Sequence, residues 1–260
     1  MIQFSHVTKK FGDLVAVNDL SLEVRQGEFF VILGPNAAGK TTSIKVLTGL
    51  IKPTDGTARV AGYDIQTDPL EARRRIAYVP DFPFLYDKLT PWEFFHFVGH
   101  LYGMTEQQIR TKALQLIERF NLSPYVNKYT EGLSHGTRQR VAIVAALLHD
   151  PEVFIIDEPM VGLDPHHTRV VKDVLKERSL RGMTVFVSTH QLSVAEELAD
   201  RIGIMNLGRI IALGTPDQLR QQSGADGPLE RAFLALTAQE ANMLEETSAL
   251  RTPAPSASVR

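Results

Sequence analysis

Three features of this sequence predict an α/β fold. The first is the stretch 34–42, GPNAAGKTT, a glycine-rich loop lying between an apolar run and a helical pattern. The second is the alternation of short apolar runs with amphipathic stretches, which argues for a mostly parallel sheet. The third is a change of composition after residue 81. Phe82, Phe84, Tyr86, Trp92, Phe94, Phe95, Phe97 and Tyr102 crowd together, and the pattern stays helical up to Asp150. That stretch reads as a helical subdomain inserted into the α/β core.

The bulk numbers set limits. A chain of 260 residues can bury one large core, or one core with a subdomain. Hydrophobic content of 43% and charged content of 22% are ordinary for a globular protein in water. The formal net charge of −2 offers no overall basic balance, so no nucleic-acid partner is expected. The absence of cysteine rules out disulfides and thiolate chemistry. The opening MIQFSHVTKKFG lacks a signal peptide's apolar stretch, and no segment approaches the roughly 20 apolar residues that span a bilayer. A cytoplasmic protein is expected, reaching a membrane only through a partner.

Taken in order, residues 2–7 alternate apolar and polar as an exposed-edge strand does. A turn at Phe11-Gly12 leads into one or two strands over 14–24, with Leu20, Leu22 and Val24 on one face. The run 29–33, FFVIL, has the length of a buried strand, and helical spacing follows over 42–50. Lys52-Pro53-Thr54-Asp55-Gly56 is a strong turn signal, after which 57–61 returns as a strand. A helix over 68–75 and a strand over 76–79 close the first part. Thr90-Pro91 caps a helix over 91–102, and two more helices follow over 106–120 and 136–148. The α/β pattern resumes with strands at 153–156 and 184–188 and helices at 164–180 and 192–199. A hairpin over 201–213 closes the core, residues 224–227 form a linker, and 228–236 (PLERAFLAL) is a small amphipathic helix. The last residues, TPAPSASVR, have the composition of a disordered tail.

The loop Gly34, Pro35, Asn36, Ala37, Ala38, Gly39, Lys40, Thr41, Thr42 fits the phosphate-loop pattern G-x-x-x-x-G-K-[ST]. Glycines let successive N–H groups point at phosphate oxygens, at a helix N-terminus whose dipole favours anions. Lys40 would reach the β- and γ-phosphates, and the Thr41 hydroxyl would ligate Mg²⁺. The run VFIIDEP buries a strand and delivers two carboxylates at its C-terminal end, where an open α/β sheet keeps its ligand site. Asp157 suits a nucleotide-bound Mg²⁺, and Glu158 suits the general base for a water attacking the γ-phosphate. His190 ends the next strand and is able to donate to a γ-phosphate oxygen; on its own a strand-end histidine is more often a satisfied surface group. Leu133-Ser134-His135-Gly136-Thr137 opens a helix, and by itself is an ordinary capped start. His166-His167 reads as a solvated pair, because adjacent histidines on a helix point apart.

Together these motifs resemble the ATP-binding cassette (ABC) family over about residues 1–215. Residues 34–42 match its Walker A, and VFIIDEP its Walker B with the catalytic glutamate. Gly162-Leu163-Asp164-Pro165 is similar to its D-loop, His190 to its switch histidine, LSHGTRQR to its signature, and Phe11 to its adenine-stacking aromatic. The resemblance implies a P-loop NTPase core with an antiparallel β portion and an inserted helical subdomain. It implies ATP and Mg²⁺ as cofactors, and a head-to-tail homodimer or heterodimer in which Ser134 and Gly136 contact the nucleotide of the other chain. The expected division is 1–81 and 151–222 for the core, 82–150 for the helical subdomain, and 223–260 for a helix and tail.

The sequence departs from the family's pattern at four positions. Ala37 replaces a usual Gly, His135 a Gly, Thr137 a Gln, and Asp81 the Q-loop Gln. Asp81 is expected to approach the metal when MgATP is bound and to point away otherwise; His135 is expected beside the partner's γ-phosphate. The chain further resembles bacterial export ATPases for drugs, polysaccharides or lipids, so the expected function is to power transport through a separate permease at the cytoplasmic face of the membrane. A non-transport cassette acting as a scaffold is the alternative. The aromatic cluster serves either as subdomain core or as a surface receiving the membrane subunit.

Overall fold

The computed structural model describes residues 1–224 and 227–251. The elements of the core are β1 (Ile2–Phe11), β2 (Leu14–Val24), β3 (Phe29–Leu33), α1 (Lys40–Leu47), β4 (Asp55–Val60), β5 (Tyr63–Asp64), α2 (Pro69–Arg74) and β6 (Ile76–Val79). A helical segment follows with α3 (Pro91–Leu101), α4 (Glu106–Arg119) and α5 (His135–Leu147). The core then resumes with β7 (Val153–Asp157), α6 (Pro165–Leu180), β8 (Thr184–Thr189), α7 (Leu192–Leu198), β9 (Arg201–Asn206) and β10 (Arg209–Gly214). Helices α8 (Pro216–Ser223) and α9 (Leu229–Arg251) end the described chain.

The strands form two sheets. The larger has the order β10-β9-β3-β8-β7-β6, parallel except for β10. Its central strand β3 is buried on both faces, which is why FFVIL reads as a continuous apolar run. Phe29, Val31 and Leu33 pack into the core shared with the helical segment. Phe30 and Ile32 pack into the core shared with the smaller sheet and α1. Register aligns Leu33 with Thr189 and Asp157 with Ser188, so three strands end at one level. The phosphate loop, the carboxylate pair and His190 all emerge there.

The smaller sheet is antiparallel, in the order β2-β1-β4-β5. The first strand is therefore interior, not the exposed edge expected from its alternation. Alternation records only that one face is buried; Ile2, Phe4 and Val7 are, but a neighbour from residues 55–60 leaves no local trace. Two further elements gave no clear sequence signal, β5 and α8. The helix expected over 228–236 runs to Arg251, since no glycine or proline interrupts the helix formers after Leu236. Gly224 and Gly227 of the 224–227 linker are described, but Ala225 and Asp226, like the tail after Arg251, lie outside the described residues.

The helical segment follows its caps. Thr90 and Glu93 form a capping box at α3 with Pro91 in the first turn, and Thr105 and Gln108 form another at α4. Gly99 lets α4 approach, because a Cβ there would lie 2.5 Å from the Ile109 side chain. Part of the aromatic cluster is core, with Phe95 fully buried. Another part is not: Phe82 and Phe84 are 78% and 77% exposed.

Candidate nucleotide site

A cavity of about 490 Å³ opens at the C-terminal ends of β3, β7 and β8. Its lining runs from Phe11 and Ala16 at one end, along the phosphate loop, to Asp81, Asp157 and Glu158 at the other. Backbone proximity explains the two framework glycines. A Cβ on Gly34 would sit 2.3 Å from the Met205 carbonyl oxygen. Gly39 has φ of 106°, and a Cβ there would meet the Ala16 carbonyl oxygen at 2.4 Å. Ala37 also adopts a left-handed φ, 65°, which costs an L-residue about 1–2 kcal/mol. Its methyl group is accommodated because the residue is exposed.

Lys40 begins α1 and folds back over the loop, donating to the carbonyls of Gly34 at 2.8 Å and Pro35 at 3.0 Å. Burial holds its pKa below the ordinary lysine value, while Glu158 and Asp157 act in the opposite direction. The Thr41 hydroxyl donates to Asp157 Oδ2 at 2.7 Å, and the Ser188 hydroxyl donates to Asp157 Oδ1. Glu158 sits in a left-handed turn with φ of 48°. Its carboxylate accepts from Thr189 Oγ1 at 2.9 Å and from the His190 backbone N–H at 3.0 Å, and it pairs with His190 Nδ1 at 2.8 Å. The Asp81 carboxyl is held above the ordinary carboxylate range, chiefly by burial and then by the charges of Asp157 and Glu158. Asp81 lines the cavity, where the sequence led us to expect it turned away in a chain without nucleotide.

Ser188 and Thr189 are the polar partners that the sequence reading left without a role. Their only signal was polarity at the end of an apolar strand, and the partners they take depend on register with β7. Ser134 and Gly136 do not line the cavity of their own chain. Ser134 accepts from the Thr137 N–H at 3.3 Å as the N-cap of α5. Gly136 is obligatory for a local reason as well, since a Cβ would sit 2.3 Å from the Gly162 carbonyl oxygen. His135 packs within its own chain: its ring meets Phe82 edge-on at 5.7 Å, it lies against Gly162, and its Nε2 is buried without a hydrogen-bond partner. His166 and His167 each take a neighbour in this chain, Asn121 at 3.2 Å and Asp164 at 2.6 Å.

A phosphate loop at a helix N-terminus, with a hydroxyl, two carboxylates and a histidine at adjacent strand ends, defines a nucleoside-triphosphatase of the P-loop class. The ABC transporter family profile matches residues 17–161, more than half of the chain. Linearmycin resistance ATP-binding protein LnrL of Bacillus subtilis (strain 168) is 36% identical over 87% of this chain and 73% of its own length. Among solved structures, an ATP-binding subunit of an ABC transporter superposes with a TM-score of 0.87 at 32% identity, covering 91% of this chain and 99% of that one. A dimeric ATP-binding cassette in a post-hydrolysis state bound to ADP and Pi superposes with a TM-score of 0.76 at 29% identity, covering 83% and 98%. The chain belongs to the ABC transporter family; it is an ATP-binding, ATP-hydrolysing subunit that powers transport.

Proposed function

We propose that this chain drives export through a separate membrane subunit, as the ATPase half of a head-to-tail pair of cassettes. The observation that carries the catalytic part is the convergence of Lys40, Thr41, Asp157 and Glu158 on one cavity. Phe11, half exposed at the cavity's rim, stacks on the adenine. Lys40 exchanges its loop carbonyls for the β- and γ-phosphates, aided by the loop N–H groups and the α1 N-terminus. Thr41 Oγ1 and Asp157 Oδ2 are hard oxygen donors 2.7 Å apart, the donor set a Mg²⁺ ion takes, and Asp81 is a third donor at the same cavity. When bound, Mg²⁺ neutralises charge on the β- and γ-phosphate oxygens. Glu158, oriented by Thr189 and His190, accepts the proton of the attacking water.

Ser134 and Gly136 lie outside their own cavity, which supports their use by the nucleotide of a second chain, in a homodimer or a heterodimer. The exposed rings of Phe82, Phe84, Tyr86 and Phe97 form an aromatic surface suited to an apolar segment of the membrane subunit. In this reading residues 1–81 and 151–222 form the catalytic core, 82–150 the docking and signature subdomain, and 223–260 an appendage. The chain works at the cytoplasmic face of the membrane through its partner. The resistance protein among its relatives favours export of a small molecule over a scaffolding role.

Affinity purification from membranes tests the partnership: an integral-membrane subunit is expected to co-purify, and recovery with a soluble complex only would reject it. Lys40→Ala tests the site. It removes the fixed cation on the phosphates, so ATP binding weakens and hydrolysis is lost; wild-type turnover would reject the assignment.

A further inference from the structure

We propose that His96, His100 and Glu106 form a binding site for a divalent transition metal of the zinc type, remote in role from the nucleotide site. His96 and His100 are four residues apart on α3, so both imidazoles lie on one helix face. That spacing is the one by which a helix offers two histidines to zinc. Glu106 opens α4, held at the facing end by the Thr105–Gln108 capping box. The close approach permitted by Gly99 brings α4 against this face of α3.

One ligand atom from each residue falls in a cluster within 4.8 Å. Glu106 Oε2 is 3.1 Å from His96 Nδ1 and 3.7 Å from His100 Nε2. Donors around a tetrahedral metal at bond lengths of about 2.0–2.2 Å stand about 3.3–3.6 Å apart. The two separations bracket that range, and the second is too long for a hydrogen bond. His96 presents Nδ1 to the cluster, within hydrogen-bond distance of Glu106, and its Nε2 is buried without a partner. Two imidazoles with one carboxylate suit Zn²⁺, Co²⁺, Ni²⁺ or Cu²⁺ rather than Mg²⁺ or Ca²⁺. Bound there, the metal ties the C-terminal half of α3 to the start of α4, and water completes its coordination.

The chain carries its own reporter. Trp92 is its single tryptophan, and the Trp92 ring lies 4.9 Å from that of His96. The full chain is titrated with Co²⁺, a quencher, while Trp92 emission and the visible absorption of bound Co²⁺ are followed. Saturable quenching that Zn²⁺ reverses is expected. His100→Ala removes a ligand from a side chain that is 57% exposed, so the fold is preserved; Glu106→Gln removes the charged donor without shortening the side chain. Each is expected to raise the quenching midpoint at least about tenfold. The carboxylates of the nucleotide site have no tryptophan beside them, so emission reads this cluster. Absence of saturable quenching, failure of Zn²⁺ to reverse it, or a wild-type midpoint in both variants would overturn the proposal.

Discussion

Thr41 donates its hydroxyl to the Asp157 carboxylate across 2.7 Å, joining residues 116 positions apart in the chain. The bond links the start of α1 to the end of β7, and it holds together at one cavity the two oxygen donors we propose for the cation. Thr41→Val keeps the side-chain shape and removes the hydroxyl. Mg²⁺-dependent ATP hydrolysis by the purified chain should fall by at least about tenfold, consistent with the loss of a metal ligand. Turnover within twofold of wild type would sink the assignment.

Glu158 is fixed by Thr189, by the His190 backbone and by the His190 ring. Glu158→Gln keeps the side-chain length and removes the base. Hydrolysis should drop on the order of a hundredfold or more, while ATP binding persists and an ATP-bound dimer accumulates on gel filtration. Unchanged turnover would remove Glu158 from the general-base role.

Asp81 binds its proton more tightly in the folded chain than an ordinary aspartate does, because of burial and the neighbouring Asp157 and Glu158 charges. The sign follows: its contribution to stability is complete below the ordinary carboxylate range and is lost as pH rises through the raised value. Without nucleotide, Asp81→Asn should therefore melt above wild type at pH 7, and the gap should close as pH falls toward about 4. With Mg²⁺ and ATP the same variant should lose affinity and turnover. If neither changes, the metal-facing role is rejected.

His149 stacks on Tyr102 with ring centroids 3.6 Å apart, and burial pushes its pKa down to about 4. The unfolded chain takes up this proton near pH 6.5, the folded chain only near 4. Its contribution to stability is present above the higher value and drains away as pH falls toward the lower, by on the order of 3 kcal/mol. His149→Phe keeps the stack and cannot titrate. Denaturant unfolding of this variant should show a shallower loss of stability between about pH 6.5 and 4 than wild type; parallel curves would refute the account.

The sequence by itself determined what is local. Residues 34–42 announced the phosphate loop through glycine spacing, and VFIIDEP announced a buried strand ending in carboxylates. The start of α3 was legible because Thr90 caps the helix it precedes. Tertiary structure decided what depends on partners distant in the chain. It set β1 between β2 and β4, because a strand's neighbours are chosen by packing and not by its own alternation. It assigned Ser188 to Asp157 and Thr189 to Glu158, because parallel register between β7 and β8 brings those pairs together. It turned His135 against Phe82 and Gly162 of its own chain, where the sequence pointed only to the γ-phosphate of a partner. Capping and periodicity are written within a few residues; pairing, burial and the partners of a buried charge arise only when remote segments exclude water together.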